Sequence, residues 1–548
     1  MKRFALLSLA VFAAFAAACG DDNHATNPVD GPPPAGSDAA PAAASLDSIQ
    51  NVVVIFAENR SFDNVYGRFP GANGLPVNGT YEAQLDRDFS LLAKLPQTWT
   101  GVTAAGQTPV VTQMMSDNLL NTPYSIEQTY AGVDKTVITR DLYHRFFENQ
   151  MQIDGGANDM FAAFADSGGL VMGNYDGSTM SLWALALQYT LADNWFMGAF
   201  GGSFLNHQYL ICACAPEYPH ADTNAAHPTI AVLDTLGDGS FTPDLTIAST
   251  SPASALDGAP VFTLSGNITP LDYLGDGTFR AVNTMQPPYQ PSSTPAAASD
   301  TTLLYVDPSK PTTLPAQTET TIGDQLDSAN VTWAWYSGAW TATVQAAATD
   351  HTQLEGFPPP GAVPDFQFHH QPFNYYAAFD PVAHADARAT KLRDEADLES
   401  QAAAGTLPQV AFYKPEGDLN QHAGYASVAA GDQHIADLVA KLQASPQWPH
   451  MLIVITYDEN GGWWDHVAPP VGDLMGPGTR IPAIIVSPYA KKGFVDHTQY
   501  DTGSILRLLD KRFSLAPLPG TIARDTALVS AGGTAMGDLT NALDFSGD

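Results

Sequence analysis

Two pairs of polar residues stand where apolar runs end, and both pairs could bind a cation. The run VVVIFA is followed by Glu58 and Asn59, and the run MLIVITY is followed by Asp458 and Glu459. Three carboxylates and a carboxamide brought together would repel one another unless a cation lay among them. Oxygen donors of this kind suit a hard divalent ion such as Ca²⁺ or Mg²⁺. Each acidic residue could instead cap the turn after its strand, so both interpretations stay open at this point.

A serine that follows two glycines is a second candidate for chemistry. The stretch NWFMGAFGGSFLNHQYLICACAP places Gly201 and Gly202 before Ser203, and an amphipathic helix is predicted to start with Leu205. A hydroxyl at a helix N-terminus lies beside free backbone N–H groups that favour an anion such as phosphate. Ser203 is therefore a candidate nucleophile, and a helix N-cap is the alternative.

Histidines in loops with polar neighbours could transfer protons or bind an anion. They are His144, His207, His369, His370, His422, His466 and His497. An isolated histidine is more often structural or simply solvated, so we expect roughly half of these to have no catalytic role.

The strands that must position these residues indicate an α/β fold. Both apolar runs are apolar at consecutive positions, which is typical of strands covered on both faces. Further strands are predicted in TLPQVAFYKP, TRIPAIIVSPYA and VTWAWYSGAW, and helices in GDQHIADLVAKLQAS and TGSILRLLDKRF. In open α/β sheets, ligands bind at the carboxyl ends of the strands. We therefore expect a mixed α/β sandwich with its site at that edge of the sheet.

The N-terminus indicates export. The opening MKRFALLSLAVFAAFAAAC is typical of a secretory signal, so residues 1–18 are expected to be a signal peptide. Cys19 is a candidate for lipidation, although Ala16 stands where Leu, Val or Ile is usual, and lipoprotein and plain secretion both stay open. Residues 19–46 are rich in Pro and Ala and are expected to form a disordered tether. The expected location is the periplasm or the cell envelope.

Charge and composition exclude some partners. The formal net charge of -34 over 548 residues argues against nucleic acid, since no basic stripe could neutralise phosphates. No apolar run after the signal is long enough to span a bilayer, so membrane association is expected only through lipidation of Cys19. Cys212 and Cys214 are expected to be free buried thiols, because a disulfide across one residue would be strained. The number of subunits is left open.

Five motifs occur in the order found in one enzyme superfamily. They are ENRSFDNVYGRFPG, HRFFENQMQIDGG, GGSFLNH, HHQPFNYY and YDENGGWWDHV. Over residues 48–530 the chain resembles the bacterial acid phosphatase and phospholipase C superfamily, whose members share the alkaline phosphatase type of α/β fold, a central β-sheet sandwiched by helices. The stretches ENRSFDNVYGRFPGANG and TIGDQLDSANVTWAWYSGAW look more similar to the acid phosphatase branch. The resemblance implies a single phosphoesterase domain over residues 47–548.

The resemblance also implies roles for individual residues. The implied ligands of one divalent metal ion, expected to be Ca²⁺ with Mg²⁺ or another divalent ion as alternatives, are Glu58, Asn59, Ser203, Asp458 and Glu459. Ser203 would also be the nucleophile. The residues that would contact the phosphoryl oxygens or protonate the leaving group are His144, His369, His370 and His422. Phe204 and Leu205 stand where many members have a Pro-containing run, so the local turn is expected to differ.

These roles predict an exported, metal-dependent acid phosphatase that hydrolyses small phosphomonoesters through a phosphoserine intermediate. Imidazoles with pKa values near 6 to 7 would be protonated at mildly acidic pH, which predicts an acidic pH optimum. A phospholipase C that cleaves phosphodiester head groups is the nearest alternative. A non-catalytic calcium-binding surface protein that has kept the fold is an alternative of another class.

A region outside the motifs extends from about residue 215 to about residue 320. It contains LGDGSF and LGDGTF, with short β-prone runs among Pro, Ser and Thr. We expect a β-rich insertion beside the mouth of the active site. A lid that selects substrates and a surface excursion without function are the two interpretations.

Overall fold

The structure is a computed structural model that describes residues 44–75, 81–348 and 366–546. The predicted leader, Cys19 and the tether up to residue 43 lie outside the described residues. The strands are β1 (Asn51–Ala57), β2 (Tyr124–Ser125), β3 (Gly173–Asn174), β4 (Thr190–Phe196), β5 (Leu233–Thr235), β6 (Phe241–Leu245), β7 (Trp333–Ser337), β8 (Leu392–Asp394), β9 (Val410–Lys414), β10 (Met451–Tyr457), β11 (Arg480–Val486), β12 (Phe494–Asp496) and β13 (Tyr500–Asp501). The α-helices are α1 (Phe62–Val65), α2 (Ile126–Thr129), α3 (Phe146–Ile153), α4 (Ser181–Gln188), α5 (Ser203–Cys212), α6 (Ile322–Ser328), α7 (Trp340–Ala347), α8 (Ala385–Lys391), α9 (Glu395–Ala404), α10 (Val428–Gln443), α11 (Gly503–Phe513) and α12 (Pro519–Ser530).

The central sheet has nine strands. Their order is β12-β4-β11-β10-β1-β9-β7-β8, with β13 also paired to β4. β11 is antiparallel to both of its neighbours, and the other pairs are parallel. Every residue of β1 and of β10 is buried. Because successive side chains of a strand point to opposite faces, this burial requires cover on both faces of the sheet. The predicted central sheet sandwiched by helices is confirmed.

The register of the central strands brings three polar chain segments to one edge of the sheet. β1 and β10 are parallel neighbours, with Ala57 opposite Tyr457 at their ends. The chain therefore leaves both strands at the same level, and Glu58 and Asp458 follow side by side. β9 is the other parallel neighbour of β1 and ends on Lys414. The carboxyl edge of these three strands is the place where the sequence predicted a site.

The helix that starts with Ser203 lies in the core. All ten residues of α5 are buried, so the predicted amphipathic helix is instead covered all round. It contacts α6 and α11, while α10 contacts α4 and α9. Within the described ranges, no helix is both long enough and apolar enough to cross a membrane.

Cys212 and Cys214 form a disulfide, so the expectation of two free thiols is wrong. α5 ends at Cys212, and Ala213 after it has a left-handed φ of 50°. The chain reverses at this residue and places the two Cα atoms 5.1 Å apart, within the usual range for bridged cysteines. The spacing of the two cysteines does not reveal the left-handed residue that permits the bridge.

The predicted β-rich insertion has only limited regular structure. It contains one two-stranded antiparallel sheet, formed by β5 and β6, and isolated bridges such as Ile268 with Ala281. Most of its other residues lie in turns and irregular segments. Its β-prone runs are short and interrupted by turn-forming residues, so they pair only locally.

Candidate active site

Ser203 lies at the first position of α5, after a turn made by Gly201 and Gly202. Gly201 has a left-handed φ of 84°, and a Cβ there would lie 2.3 Å from the backbone nitrogen of Phe146. A Cβ at Gly202 would lie 2.9 Å from the carbonyl oxygen of His144. Glycine at both positions lets the turn pack this closely against the segment that carries His144. Gly202 is the N-cap of α5, so the interpretation of Ser203 as an N-cap is wrong.

The hydroxyl of Ser203 faces side chains from both strand ends. Ser203 Oγ donates a hydrogen bond to Glu459 Oε1 at 2.9 Å and lies 3.4 Å from Asn59 Oδ1. Asn59 has a left-handed φ of 62°, which asparagine tolerates better than most residues. The chain therefore turns sharply after β1, at the residue whose amide group faces Ser203. The structure brings these three predicted site residues together.

Asp458 and Glu459 form a buried pair of acidic side chains. Asp458 Oδ1 accepts hydrogen bonds from the backbone N–H groups of Asn59 at 3.1 Å and Glu459 at 2.8 Å. Burial raises the pKa of both carboxyl groups, although Lys414 opposes this at Asp458 and His144 opposes it at Glu459. A cation bound here would offset negative charge that the protein compensates only in part.

Glu58 is surrounded by hydrogen-bond donors. Its Oε1 accepts from Lys414 Nζ at 2.9 Å and lies 2.5 Å from His370 Nε2. Its Oε2 accepts from Asn420 Nδ2 at 2.8 Å and from Tyr425 OH at 2.7 Å. Burial alone would raise the pKa of Glu58, but Lys414 and His370 hold it well below its ordinary value. Glu58 is therefore an ionised carboxylate that already has partners, unlike the acidic pair after β10.

Lys414 is a residue of the site that the sequence analysis did not identify. It is the last residue of β9, and its side chain is fully buried. Besides its contact with Glu58, its Nζ lies 3.5 Å from Asp458 Oδ2. The signal was present in the predicted strand TLPQVAFYKP, which carries a lysine at the edge where a ligand was expected. A lysine at the end of a buried strand requires a partner of opposite charge.

The donors around Ser203 fit a hard divalent metal ion. Asn59 Oδ1, Ser203 Oγ and the carboxylates of Asp458 and Glu459 are all oxygen ligands, as Ca²⁺ and Mg²⁺ prefer. Burial raises the pKa of both carboxyl groups, and the nearby Lys414 and His144 offset this only in part. The chemistry of the donors and their charge therefore point to the same kind of ion.

Within the part of the chain that the structure describes, three other groups of acidic and imidazole side chains have possible ligand atoms within 4.8 Å of one another. They are Glu58 with His369 and His370, Asp141 with His144 and His422, and Asp63 with Asp465 and His466. In the last group the guanidinium of Arg480 lies 3.1 Å from Asp63 and 2.9 Å from Asp465. The positive charge of Arg480 thus already offsets the negative charge of these two aspartates.

His144 is a cationic imidazole beside Glu459. Its Nδ1 lies 2.5 Å from the carbonyl oxygen of Leu142, which can only accept, so Nδ1 carries a proton. Its Nε2 lies 3.7 Å from Glu459 Oε1. Burial alone would lower the pKa of His144, but the carboxylates of Glu459 and Asp141 raise it to about 9. A proton donor therefore lies next to the acid that contacts Ser203.

His369, His370 and His422 differ from His144 in their ionisation. Burial lowers the pKa of each of these three imidazoles. His422 packs edge-on against His144, with ring centroids 5.4 Å apart, and its Nδ1 lies 2.5 Å from the carbonyl oxygen of Ala423. The expectation of ordinary imidazole pKa values near 6 to 7 is wrong for these three, because each has been removed from water.

Among the remaining candidate histidines, one lies close to Ser203. His207 is one turn further along α5, and its Nδ1 donates to the carbonyl oxygen of Ser203 at 2.7 Å. This contact supports the first turn of the helix. The other two contact aspartates elsewhere. His466 Nδ1 lies 2.6 Å from Asp63 Oδ2, and His497 Nδ1 lies 2.9 Å from Asp193 Oδ1.

The chain matches a known family over most of its length. The model of the Phosphoesterase family matches residues 49–516. "Phospholipase C B" of Mycobacterium tuberculosis is 22% identical over 541 residues, which cover 93% of this chain and 80% of that protein. "Non-specific phospholipase C1" of Arabidopsis thaliana is 35% identical over 112 residues, which cover 16% of this chain and 21% of that protein. Among solved structures, a protein in the alkaline phosphatase superfamily from Vibrio parahaemolyticus aligns with 12% identity and a TM-score of 0.28 over 65% of each chain. The family match includes all the residues placed around Ser203.

Proposed function

The chain belongs to the Phosphoesterase family and is a hydrolase of phosphoric ester bonds, and from this premise we propose that it is an acid phosphatase with Ser203 as nucleophile. The observation that carries the proposal is the position of Ser203 Oγ, which lies at the N-terminus of a buried helix, 2.9 Å from Glu459 Oε1 and 3.4 Å from Asn59 Oδ1. Free N–H groups at that helix end favour an anion. The alternative of a non-catalytic calcium-binding protein is not retained, since the family is one of hydrolases.

We propose that one divalent ion, Ca²⁺, binds beside the nucleophile. Asn59, Ser203, Asp458 and Glu459 would hold it, and Glu58 would join them in exchange for one of the hydrogen bonds that it now accepts. When bound, such an ion supplies positive charge to the phosphoryl oxygens and to the serine oxygen.

The proposed reaction consists of two displacements at phosphorus. In the first, Ser203 Oγ forms a bond to phosphorus while the bond to the ester oxygen breaks, and the serine proton passes to Glu459 Oε1. Cationic His144 gives a proton to the leaving alkoxide. In the second, water attacks the phosphoserine and gives a proton to neutral His144, while Ser203 regains its proton from Glu459 and inorganic phosphate is released. The residues proposed to line the phosphoryl pocket as neutral imidazoles are His369, His370 and His422.

Trapping of the intermediate tests the proposal. Wild-type protein incubated with p-nitrophenyl phosphate and quenched in acid is expected to carry a phosphate on the peptide that contains Ser203, detected by mass spectrometry. Ser203→Ala is expected to lose that phosphate and at least about 10³-fold in turnover, since the nucleophile itself is removed. Ser178→Ala, at an exposed serine, is the matched control and should keep the wild-type rate. Wild-type turnover by Ser203→Ala would overturn the assignment.

Phospholipase C activity is the second candidate, and the names of the relatives favour it. Both reactions would use the same nucleophile, and they differ in whether the phosphorus carries one ester bond or two. Comparing hydrolysis of p-nitrophenyl phosphate with that of p-nitrophenylphosphorylcholine separates them. We expect the monoester to be the better substrate by kcat/KM. A preference for the diester would replace the acid phosphatase proposal with the phospholipase C one.

We also propose that the protein is exported to the periplasm or cell envelope, on the basis of its first 19 residues. The mature N-terminus should begin at Cys19, with or without a lipid on its thiol. Cell fractionation followed by intact-mass measurement distinguishes the two forms. Full-length protein found in the cytoplasm would contradict the proposal.

A further inference from the structure

The region between residues 215 and 320 is bonded to the segment that carries His144, on both sides of that residue. Before it, Tyr143 OH lies 3.1 Å from Ser265 Oγ. After it, Arg145 Nη2 donates to the carbonyl oxygen of Gly266 at 2.7 Å. This part of the insertion therefore runs alongside the His144 segment.

Asn283 of the insertion caps the helix that follows His144. α3 begins at Phe146, and its N-cap, Arg145, makes no side-chain hydrogen bond to the free N–H groups of the first turn. Asn283, itself buried, instead accepts from the Phe146 backbone N–H through Oδ1 at 3.0 Å. Its Nδ2 donates to the carbonyl oxygen of Gly266 at 2.6 Å. One side chain thus connects the start of α3 to Gly266, the residue of the insertion whose carbonyl oxygen also accepts from Arg145.

The backbone that Asn283 holds is also the backbone that touches the turn before Ser203. A Cβ at Gly201 would lie 2.3 Å from the Phe146 nitrogen, the same atom that donates to Asn283. Movement of this backbone would change its distance from the glycine turn and carry His144 with it. The His144 side chain itself makes its contacts elsewhere, so Asn283 would act on it through the backbone.

We propose that Asn283 is a positioning residue that fixes His144 relative to Ser203. The inference rests on the proposed function, in which His144 supplies the proton to the leaving group. The insertion would then hold the His144 segment in place, and would be neither a movable lid nor a surface loop without function. Opening this part of the insertion would break the hydrogen bonds to Tyr143, Arg145 and Phe146.

Removal of the cap should impair turnover more than binding. Asn283→Ala deletes the acceptor for the Phe146 N–H, and kcat for p-nitrophenyl phosphate is expected to fall about 10- to 100-fold, because small misplacements of a catalytic group have effects of this size. KM should change by less than about threefold, since most binding contacts remain. Thr242→Ala removes two hydrogen bonds that stay within the insertion, one to the carbonyl oxygen of Asp234 and one from the backbone N–H of Asp244. This control should behave as wild type.

A double-mutant cycle decides whether Asn283 acts through His144. In the His144→Ala background, adding Asn283→Ala should lower kcat by less than about twofold, because the group that it positions is already absent. Wild-type kcat in Asn283→Ala, or an undiminished effect in the His144→Ala background, would overturn the inference and leave the proposed function intact. Full activity of His144→Ala would overturn the inference together with the proposed role of His144 as proton donor, and would leave Ser203 as the nucleophile. If Asn283→Ala does not fold, Ser265→Ala, which removes the partner of Tyr143 OH, enters the same cycle with the same expected non-additivity.

Discussion

Lys414 Nζ lies 2.9 Å from Glu58 Oε1, and both side chains are fully buried. The lysine ends one strand and the glutamate follows its parallel neighbour, so the contact joins two strands at the edge of the sheet that carries the site. This ion pair keeps Glu58 ionised in a place where burial alone would protonate it. The edge of the sheet that carries the site therefore contains a positive charge of its own, next to an acidic pair that is compensated only in part.

Removal of the lysine charge should strongly destabilise the protein. Lys414→Met leaves Glu58 buried without its cation, and the free energy of unfolding is expected to fall by about 3–5 kcal/mol, as for other broken buried pairs. Urea denaturation with a chelator present measures the change. Lys441→Met breaks a pair with Glu399 at the surface and should cost less than about 1 kcal/mol. Equal losses in the two variants would contradict the burial argument.

The rate should depend on the ionisation of His144. Since the pKa of His144 is raised to about 9, the imidazole remains protonated through acidic and neutral pH. We expect kcat/KM to fall as pH rises through the pKa of His144, which a cation bound at Glu459 would bring below the value of about 9 in the metal-free protein, and His144→Gln should lack this basic limb. Activity found only above that pH would exclude a protonated His144 as the acid.

The same shift affects stability. The pKa of His144 is higher in the folded state than in the unfolded state, where an imidazole has a pKa near 6.5. The protonated imidazole therefore stabilises the fold fully below about pH 6.5. This stabilisation is lost as the pH rises through the pKa of the folded state. Between neutral and alkaline pH, His144→Gln should therefore lose less stability than wild type. Denaturation curves at matched pH values measure the difference.

Removal of the metal ion should matter more at higher pH. Burial raises the pKa of Asp458 and Glu459, so the metal-free folded state binds protons more tightly than the unfolded state and loses stability as pH rises. A bound cation offsets the charge that appears. We expect a chelator to lower Tm more at pH 8 than at pH 5, measured by thermal denaturation. The double variant Asp458→Asn with Glu459→Gln should show no such difference, and equal shifts at both pH values in wild type would contradict the assignment.

The stability cost of close packing at Gly201 should be measurable separately from the cost of its left-handed backbone. Gly201 and Gly239 have nearly the same φ, 84° and 87°, but a Cβ at Gly201 would meet Phe146 whereas one at Gly239 would meet open space. Gly239→Ala should therefore cost only the left-handed strain, about 1–2 kcal/mol. Gly201→Ala should cost about 1–3 kcal/mol more because of overpacking, and it should also lower kcat. Urea denaturation and steady-state kinetics measure the two effects, and equal behaviour would argue against a tight contact.

Local sequence predicts the apolar strands, because burial on both faces of the sheet requires apolar residues at consecutive positions. The runs before Glu58 and Asp458 predicted the two central strands, and the family motifs predicted that their polar ends would meet near Ser203. The distances between these groups depend on which strands are neighbours. A sequence pattern does not contain that information, and Lys414 was missed because it belongs to the third neighbouring strand.

The protonation states were predicted least well. The four candidate histidines are of one residue type, yet nearby carboxylates raise the pKa of His144 while burial lowers the pKa of the other three. The disulfide was missed for a related reason, since it depends on one left-handed residue, Ala213. Both errors concern properties that arise from the surroundings of a residue and not from its type.

The sequence by itself determined the class of fold, the superfamily and the chain segments that carry the chemistry, because periodic burial and short motifs are local properties. Only the tertiary structure decided that Glu58 has donors around both oxygens, that the charge of Asp458 and Glu459 is compensated only in part, and that Asn283 reaches the helix after His144. Charge, pKa and distance depend on groups that are hundreds of residues apart in the chain. They are fixed only when the sheet brings those groups to a common edge.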